Sequence, residues 1–542
     1  MMWRLESHAL AVLACVLVLD GCASTPRAQR SCFDVRDYGA TGVRADDARP
    51  AIQSAIDACG AAGGGTVLFP AGEYTSGSIE LASHVRVVID GGATVYSAKG
   101  KSAFPTEALF HGIDLVDVTL EGRGTIDGCA AYEWRENDIE DMYIHPNLLL
   151  MRAAGKSLRR SFPTPDSVGH LVRLVRCKDV QIRDLSFVRS PSWNIHLWGC
   201  ERIVIDGVDI RSSLTDGVWA DGIDPDGCRD LRISNCVIET GDDALVFYSS
   251  NLFGPARPCE DICVTNCRLS SSSSALKFCD GIQNCVRRVA IDNCAIVNSN
   301  RGIAFMEFDG GYVSDVVIAN LTIECTRRDW FWWGDGDPIH FNVKRRSEID
   351  SRAASPQEPP AGSIRNVVIR GVIARGTGTS SIEGHADSPL ENVTIEDLAL
   401  HMSSDPSARY DKADHALSIR NARNLTLRAV EVFWDAPESA NWKSALAVES
   451  VRGLRVDGFV ARQANPSASD PAIALRNVED AVLRDCTALP GTGEFAHIGG
   501  PRCRNIQFIA NDLREARVPW SVDGDGMRED AIGSDGNLLR KP

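Results

Sequence analysis

The chain has 542 residues, of which 44% are hydrophobic and 24% are charged, so its composition is that of a large folded protein and excludes a disordered chain. Its formal net charge of −16 argues against nucleic acids and anionic membranes as partners.

The N-terminus has the features of an export signal. An apolar run from Ala9 to Leu19 is too short to span a bilayer and ends at Leu19-Asp20-Gly21-Cys22, which resembles a bacterial lipoprotein cleavage box. We therefore expect residues 1–22 to be a signal and residues 23–31 to be a tether. The mature protein is expected to be a periplasmic or cell-surface lipoprotein with lipid on Cys22, and the alternative is an ordinary cleaved signal and a secreted protein.

A short helix is predicted near the start of the mature chain. Residues Asp47 to Cys59 have apolar residues at helical spacing, and three glycines from Gly63 follow as a stop signal. Exposed strand edges invite aggregation. We expect this helix to cover the open end of whatever sheet follows.

A repeated pattern dominates the rest of the chain. Each copy of the pattern consists of a polar pair, alternating apolar residues, a break and a second apolar pair. Copies begin at Cys177, Cys200, Cys228 and Cys259, at intervals of 23, 28 and 31 residues. Each copy predicts two strands around a bend, which bury their apolar face only by stacking on neighbouring copies. The period is too short for propeller blades of about 40–45 residues, and the fixed spacing of leucine-rich repeats is absent.

The predicted fold is therefore all-β, a single-stranded right-handed parallel β-helix over residues 32–542, and we expect a monomer. Two stretches interrupt the repeat, near residues 130–169 and 325–362. Loops that leave a rigid scaffold often carry binding. An asparagine followed by a cysteine recurs at one bend of the repeat. We expect a column of side-chain amides from Asn235, Asn266 and Asn293, and a stack of buried free thiols from Cys236, Cys267 and Cys294.

Three aspartates are the strongest chemical signal. Asp221 lies in WADGIDP, and Asp242 and Asp243 lie in TGDDALVF, 21 residues later and slightly under one coil. Stacked coils would bring the three carboxylates side by side, and their mutual repulsion should raise one pKa. One proton donor and one acceptor in the same site are what glycoside hydrolysis requires. A calcium site or a solvated turn is the alternative interpretation.

Several motifs resemble those of glycoside hydrolase family 28, the polygalacturonases and their relatives. FDVRDYGATG from Phe33, GRGTIDG from Gly122 and SPSWNIHLWGC from Ser190 precede the two aspartate motifs in that family's order. The resemblance implies a carbohydrate substrate, no metal or other cofactor, and a reaction that inverts the anomeric carbon. It assigns Asp242 as the general acid and Asp221 and Asp243 as the pair that activates water, with acid and base about 6.5–9.5 Å apart.

The chain also departs from that family at positions that bind the substrate. The family's supporting histidine is replaced by Ser274, and its two basic residues that grip the uronate carboxylate are replaced by Ala304 and Met306. A carboxylate needs charge-assisted partners, so classical homogalacturonan is not the expected substrate. Lys277 either replaces part of the lost charge or lies on the outer face.

Other candidates for substrate binding are Glu307, His340 and Trp332, although a lone Glu or His is more often structural and the tryptophan loop could pack on its own solenoid. Two further functions stay open at this point. One is a polysaccharide lyase or sugar epimerase, and the other is a non-catalytic carbohydrate-binding β-helix.

Overall fold

The computed structural model describes residues 32–130, 134–138, 146–164, 167–328, 334–350, 353–405, 412–523 and 532–541. The predicted signal at 1–22, the tether at 23–31 and the tryptophan side chain at Trp332 lie outside the described residues. Within those ranges, no helix is both long enough and apolar enough to cross a membrane.

Forty-two parallel-paired strands form one continuous sheet that winds into coils with three columns of strands. The first column contains Ile79–Glu80, Ala108–Ile113, His170–Val175, Ile195–Trp198, Ile223–Asp226, Leu245–Ser249, Ser274–Ile282, Arg301–Glu307, Asp337–Val343, Ser380–Glu383, Pro471–Arg476, Glu494–Gly499 and Val518–Val522. The second contains Cys32–Asp34, Gly65–Phe69, Val85–Ile89, Val116–Gly122, Lys178–Arg183, Glu201–Asp206, Arg229–Ser234, Cys259–Thr265, Cys285–Asp292, Glu479–Arg484, Arg504–Ile509 and Ile532–Asp535.

The third column contains Gly72–Ser76, Ala93–Ser97, Thr125–Asp127, Ser186–Val188, Asp209–Arg211, Val237–Thr240, Arg268–Ser271, Ala295–Ser299, Val460–Ala461, Thr487–Ala488, Asp512–Leu513 and Leu538–Leu539. Five longer strands bend from one column into the next: Tyr312–Cys325, Ser363–Gly376, Leu390–Met402, Leu417–Trp434 and Leu446–Asp457. The predicted right-handed parallel β-helix is confirmed.

Alternation along each strand determines which side chains reach the first column's outer face. Phe247, Phe278, Phe305 and Phe341 point inward on four successive coils, and the last three rings stack with centroids 4.2 Å apart at each step. Because side chains alternate, the residue before each phenylalanine points outward. The outward row therefore runs through Val246, Lys277, Ala304 and His340, which are paired in register.

The bends between the second and third columns use a ladder of asparagines. Asn235, Asn266 and Asn293 each have φ between 53° and 57°, a left-handed conformation that asparagine tolerates better than most residues. The Asn266 amide donates to Oδ1 of Asn235 at 3.3 Å, and the Asn293 amide donates to Oδ1 of Asn266 at 2.7 Å. The predicted amide column is confirmed, and the cysteines that follow these asparagines are buried and free as expected.

A helix covers the first coil, as the sequence predicts. It spans Arg49–Ala61, two residues later than expected at each end, and has proline in its first turn. Its buried face includes Ile52, Ile56 and Cys59, which join the core of the solenoid.

The two interruptions differ in kind. The first holds an antiparallel hairpin, Trp134–Asp138 with Arg159–Pro163, and the helix Pro146–Ala153. The second, predicted as a loop insertion, also contains one strand of the first column. Its strand Asp337–Val343 pairs with Arg301–Glu307 in the first column, with loops before and after it and a short helix at Arg346–Ile349. A single coil with two long loops therefore explains the gap in the repeat.

Candidate active site

The three predicted aspartates meet on the first column. Asp221 precedes the strand Ile223–Asp226, and Asp242 and Asp243 precede the strand Leu245–Ser249, which pairs with it on the next coil. All three side chains are buried, and one oxygen from each lies within 4.8 Å of the others. The expected separation of about 6.5–9.5 Å between the acid and base carboxyl groups stays a prediction, because the 4.8 Å limit applies only to the nearest oxygens. Three carboxylates this close could also hold a divalent cation.

Main-chain amides hold two of the carboxylates in place. Asp242 accepts hydrogen bonds from the amides of Trp219 at 3.0 Å and of Asp243 at 3.0 Å, one on each oxygen. Asp243 accepts a 2.9 Å bond from the amide of Ser274 on the next coil. In Asp221, by contrast, Oδ1 is buried without a hydrogen-bond partner. Such an oxygen is available to a water or a substrate hydroxyl.

The electrostatics of this cluster favour a proton on Asp242 near neutral pH. Burial and the neighbouring charge of Asp243 raise the pKa of Asp242 to about 7, although Lys277 and the Trp219 amide oppose the shift. Burial, followed by the charge of Asp242, raises the pKa of Asp221 well above its ordinary value. A carboxylic acid with a pKa near the working pH can donate and recover a proton, as a general acid must.

Lys277 lies on the outer face of its strand, and this is where the site is, so its charge is available beside the aspartates. Its Nζ donates to Oδ2 of Asp243 at 2.7 Å and lies 3.7 Å from Oδ1 of Asp280. Burial alone would lower the pKa of Lys277, but the charge of Asp243 and of nearby acidic groups raises it well above the ordinary value. The ammonium therefore stays charged and stabilises the negative charge of Asp243.

A fourth aspartate, Asp224, was missed by the sequence analysis. It is fully buried, and both carboxyl oxygens lack hydrogen-bond partners. Burial, followed by the charges of Asp243 and Asp242, raises its pKa well above the ordinary value. The signal was present in the sequence, because the inward Ile223 places Asp224 on the outer face of the strand that follows Asp221.

The structure separates the remaining candidates. Glu307 is fully buried, and its Oε1 accepts hydrogen bonds from the amides of Asp309 at 3.0 Å and Gly311 at 3.2 Å. Oε1 therefore stabilises a tight turn, whereas Oε2 is buried without a hydrogen-bond partner. Burial raises the pKa of Glu307 to about 8, so the side chain is largely neutral at pH 7. His340 lines a groove of about 810 Å³ that begins at Lys277.

Comparison with known proteins agrees with this geometry. Residues 59–326 match the model of glycosyl hydrolases family 28. The chain belongs to this family. A probable polygalacturonase from Vitis vinifera is 25% identical over 402 residues, which cover 68% of this chain and 74% of that protein. A family 28 exopolygalacturonase structure from Yersinia enterocolitica has a TM-score of 0.60 at 16% identity, covering 80% of this chain and 79% of that one.

A third similarity is local. A mannuronan C5-epimerase from Azotobacter vinelandii is 38% identical over 120 residues, which are 18% of this chain and 6% of that protein. The family 28 match covers much more of the chain, so the protein is a glycoside hydrolase.

The strand register shows where the residues that depart from the family 28 motifs lie. Ser274 follows Asp243 on the next coil and gives its amide to that carboxylate, while Lys277 supplies the charge. Ala304 lies between Lys277 and His340 in the outward row, and Met306 lines the groove. An alanine and a methionine offer a sugar carboxylate neither a charge nor a hydrogen-bond donor.

Proposed function

We propose that this family 28 hydrolase cleaves a polysaccharide or oligosaccharide other than unbranched homogalacturonan, and that it inverts the anomeric carbon. The observation that carries the proposal is the buried cluster of Asp242, Asp221 and Asp243, which puts a proton donor, Asp242, beside Asp243, the carboxylate that Lys277 keeps negatively charged.

In the proposed reaction, Asp242 gives its proton to the glycosidic oxygen as the bond to the anomeric carbon breaks. The unpartnered Oδ1 of Asp221 holds a water molecule, and Asp243 accepts the proton that this water loses as it attacks. The Lys277 ammonium supports this role because its 2.7 Å contact stabilises the negative form of Asp243. Each product then carries a hydroxyl group where the glycosidic oxygen joined the two sugars.

The configuration of the first-formed product tests the water-attack roles directly. The family resemblance supports inversion, which typically needs acid and base carboxyl groups about 6.5–9.5 Å apart so that a water fits between them. The experiment is a screen of pectic, rhamnogalacturonan and neutral glycan fragments, with the first-formed anomer read by NMR. Inverted product supports the proposal. Retained product contradicts the water-attack roles, and an unsaturated sugar would indicate a lyase.

We also propose that the protein is an exported, lipid-anchored monomer. The apolar run that ends at Cys22 supports export and a lipid anchor, and a solenoid with a covered first coil supports a monomer. Cys22→Ser should move the protein from the membrane fraction to the soluble exported fraction. If the parent protein carries no lipid on Cys22, the anchor is wrong and the secreted alternative takes its place.

A further inference from the structure

The groove beside the aspartates is built mainly by residues beyond the family 28 match. From Lys277 it runs along the first column to Ala474 and Arg476, whereas the matched region ends at residue 326. Successive strands lie about 4.8 Å apart, so six coil steps make a groove of roughly 29 Å. A groove of this length suits an extended chain of sugars.

Its floor is flat because the outward row becomes small after His340. Ser381, Ser418, Ala447 and Ala474 follow His340 in register on four successive coils. Small side chains leave the row open to a ligand lying along the coils. Within the groove, His340 is therefore the last large side chain of this row on the way from the aspartates.

The hydrogen bonds of His340 define what its free nitrogen can do. Its Nδ1 lies 3.0 Å from Oδ2 of Asp337, and the same oxygen accepts a 3.0 Å bond from Nε of Arg301. Burial and the charge of Arg301 lower the pKa of His340, so the ring is neutral at pH 7. A carboxylate only accepts, so Nδ1 must carry the proton. This leaves Nε2 as an acceptor, and it has no partner.

A second acceptor lies beside it on the same strand. Oδ1 of Asn342 is also buried without a hydrogen-bond partner, and Asn342 pairs in register with Glu383, whose carboxylate lines the groove. Three neighbouring groups therefore offer lone pairs. Hydroxyl groups can donate to them, whereas a sugar carboxylate cannot.

The charge of the groove wall points the same way. The lining contains seven Lys or Arg residues and eight Asp or Glu residues, so it has no excess of positive charge. Several of its cations already face carboxylates, including Arg301 with Asp337 at 3.0 Å and Lys412 with Asp335 at 2.8 Å. A polyanionic ligand would have to displace these partners.

We propose that His340 and Asn342 form a subsite that accepts hydrogen bonds from the hydroxyls of an uncharged sugar, about two coils from Lys277 on the C-terminal side of the aspartates. The inference rests on the proposed function, because it takes the groove to hold part of the same substrate. It narrows the substrate class to glycans with an uncharged sugar at this position.

The test measures binding separately from hydrolysis. In an Asp242→Asn background, calorimetry compares trigalacturonate with the same trisaccharide after its carboxylates are reduced to primary alcohols. We expect the reduced form to bind more tightly and His340→Leu to weaken it about tenfold, since an unsatisfied polar group costs about 1–3 kcal/mol. His340→Gln retains an acceptor and should lose less. The inference fails if trigalacturonate binds better, if the reduced form does not bind, or if His340→Leu binds it equally well.

Two further variants show whether a loss of affinity comes from the subsite or from a disturbed fold. His497 lies in the same outward row beyond the groove, and both its ring nitrogens have partners, so His497→Leu is a matched control that should leave affinity unchanged. Ser381→Phe should obstruct the floor next to His340 and weaken binding without touching any acceptor. Hydrolysis retained by Asp242→Asn would contradict the catalytic roles alone, because these binding results do not depend on them.

Discussion

Lys277 and Asp243 form a buried ion pair at the point where the aspartates meet, with 2.7 Å between Nζ and Oδ2. The two residues lie on adjacent coils, and Lys277 extends outward from a strand whose next residue, Phe278, packs in the core. Lys277 supplies a positive charge in a cluster that also contains Asp221, Asp224 and Asp242.

Replacing Lys277 should lower both the stability of the protein and its rate of turnover. Lys277→Met would leave the Asp243 carboxylate buried without its cation, a change that typically costs about 3–5 kcal/mol. The double variant Lys277→Met/Asp243→Asn removes both charges and should recover most of that loss. Thermal unfolding of the two variants and the parent measures the difference. A single variant as stable as the parent would show that the ion pair does not form.

The rate should depend on a group that titrates near pH 7. Asp242, whose pKa is raised to about 7, must be protonated to act as the acid, so turnover should fall as the pH rises through that value. Because Lys277 lowers the pKa of Asp242, this limb should move to higher pH in Lys277→Met. A kcat profile that stays flat from pH 6 to pH 9 would exclude Asp242 as the acid.

Glu307 should affect stability and leave catalysis alone. Its folded pKa of about 8 is higher than the ordinary value of 4.5, so its contribution to stability is complete below the ordinary value and is lost as the pH rises through about 8. Glu307→Gln keeps a neutral acceptor for the turn and should remove that part of the pH dependence. Thermal unfolding between pH 4.5 and pH 9 provides the measurement. A large fall in kcat at unchanged stability would return Glu307 to the candidate substrate-binding residues.

Activity on unbranched polygalacturonate should be weak or absent. Ala304 and Met306 give the uronate carboxylate no charged partner, and Met306→Lys should restore one at the edge of the groove. A charge-assisted hydrogen bond contributes about 1.5–3 kcal/mol, so trigalacturonate should bind this variant at least about tenfold more tightly. Reducing-sugar release by the parent at ~10 per second, a typical enzyme rate, would refute the prediction.

The sequence predicted the coils because each copy carries its own signal. The alternation that buries Phe247, Phe278 and Phe305 is visible residue by residue, and the asparagine bends repeat with it. The coil at Asp337–Val343 was harder to recognise, since long loops separate it from its neighbours and hide the period.

The site was predictable to the extent that it depends on position within a coil. Asp221, Asp242 and Asp243 came together because coil spacing alone aligns them. Side-chain contacts across coils depend on the register, the residue-by-residue pairing of strands on neighbouring coils. The sequence does not predict this register to a precision of one residue. The position of Lys277 beside Asp243 and the local hydrogen bonds of Glu307 therefore became visible only in the structure.

The most direct test of the account is the effect of Asp242→Asn on two kinds of substrate. Asparagine keeps the size and hydrogen bonding of Asp242 but has no proton to transfer, so turnover on a natural glycan should fall by ~10²–10⁴-fold. A substrate with an activated leaving group needs little protonation and should lose much less, whereas Asp221→Asn and Asp243→Asn should show no such relief. If Asp242→Asn retained full turnover on a natural glycan, the catalytic assignment would be wrong.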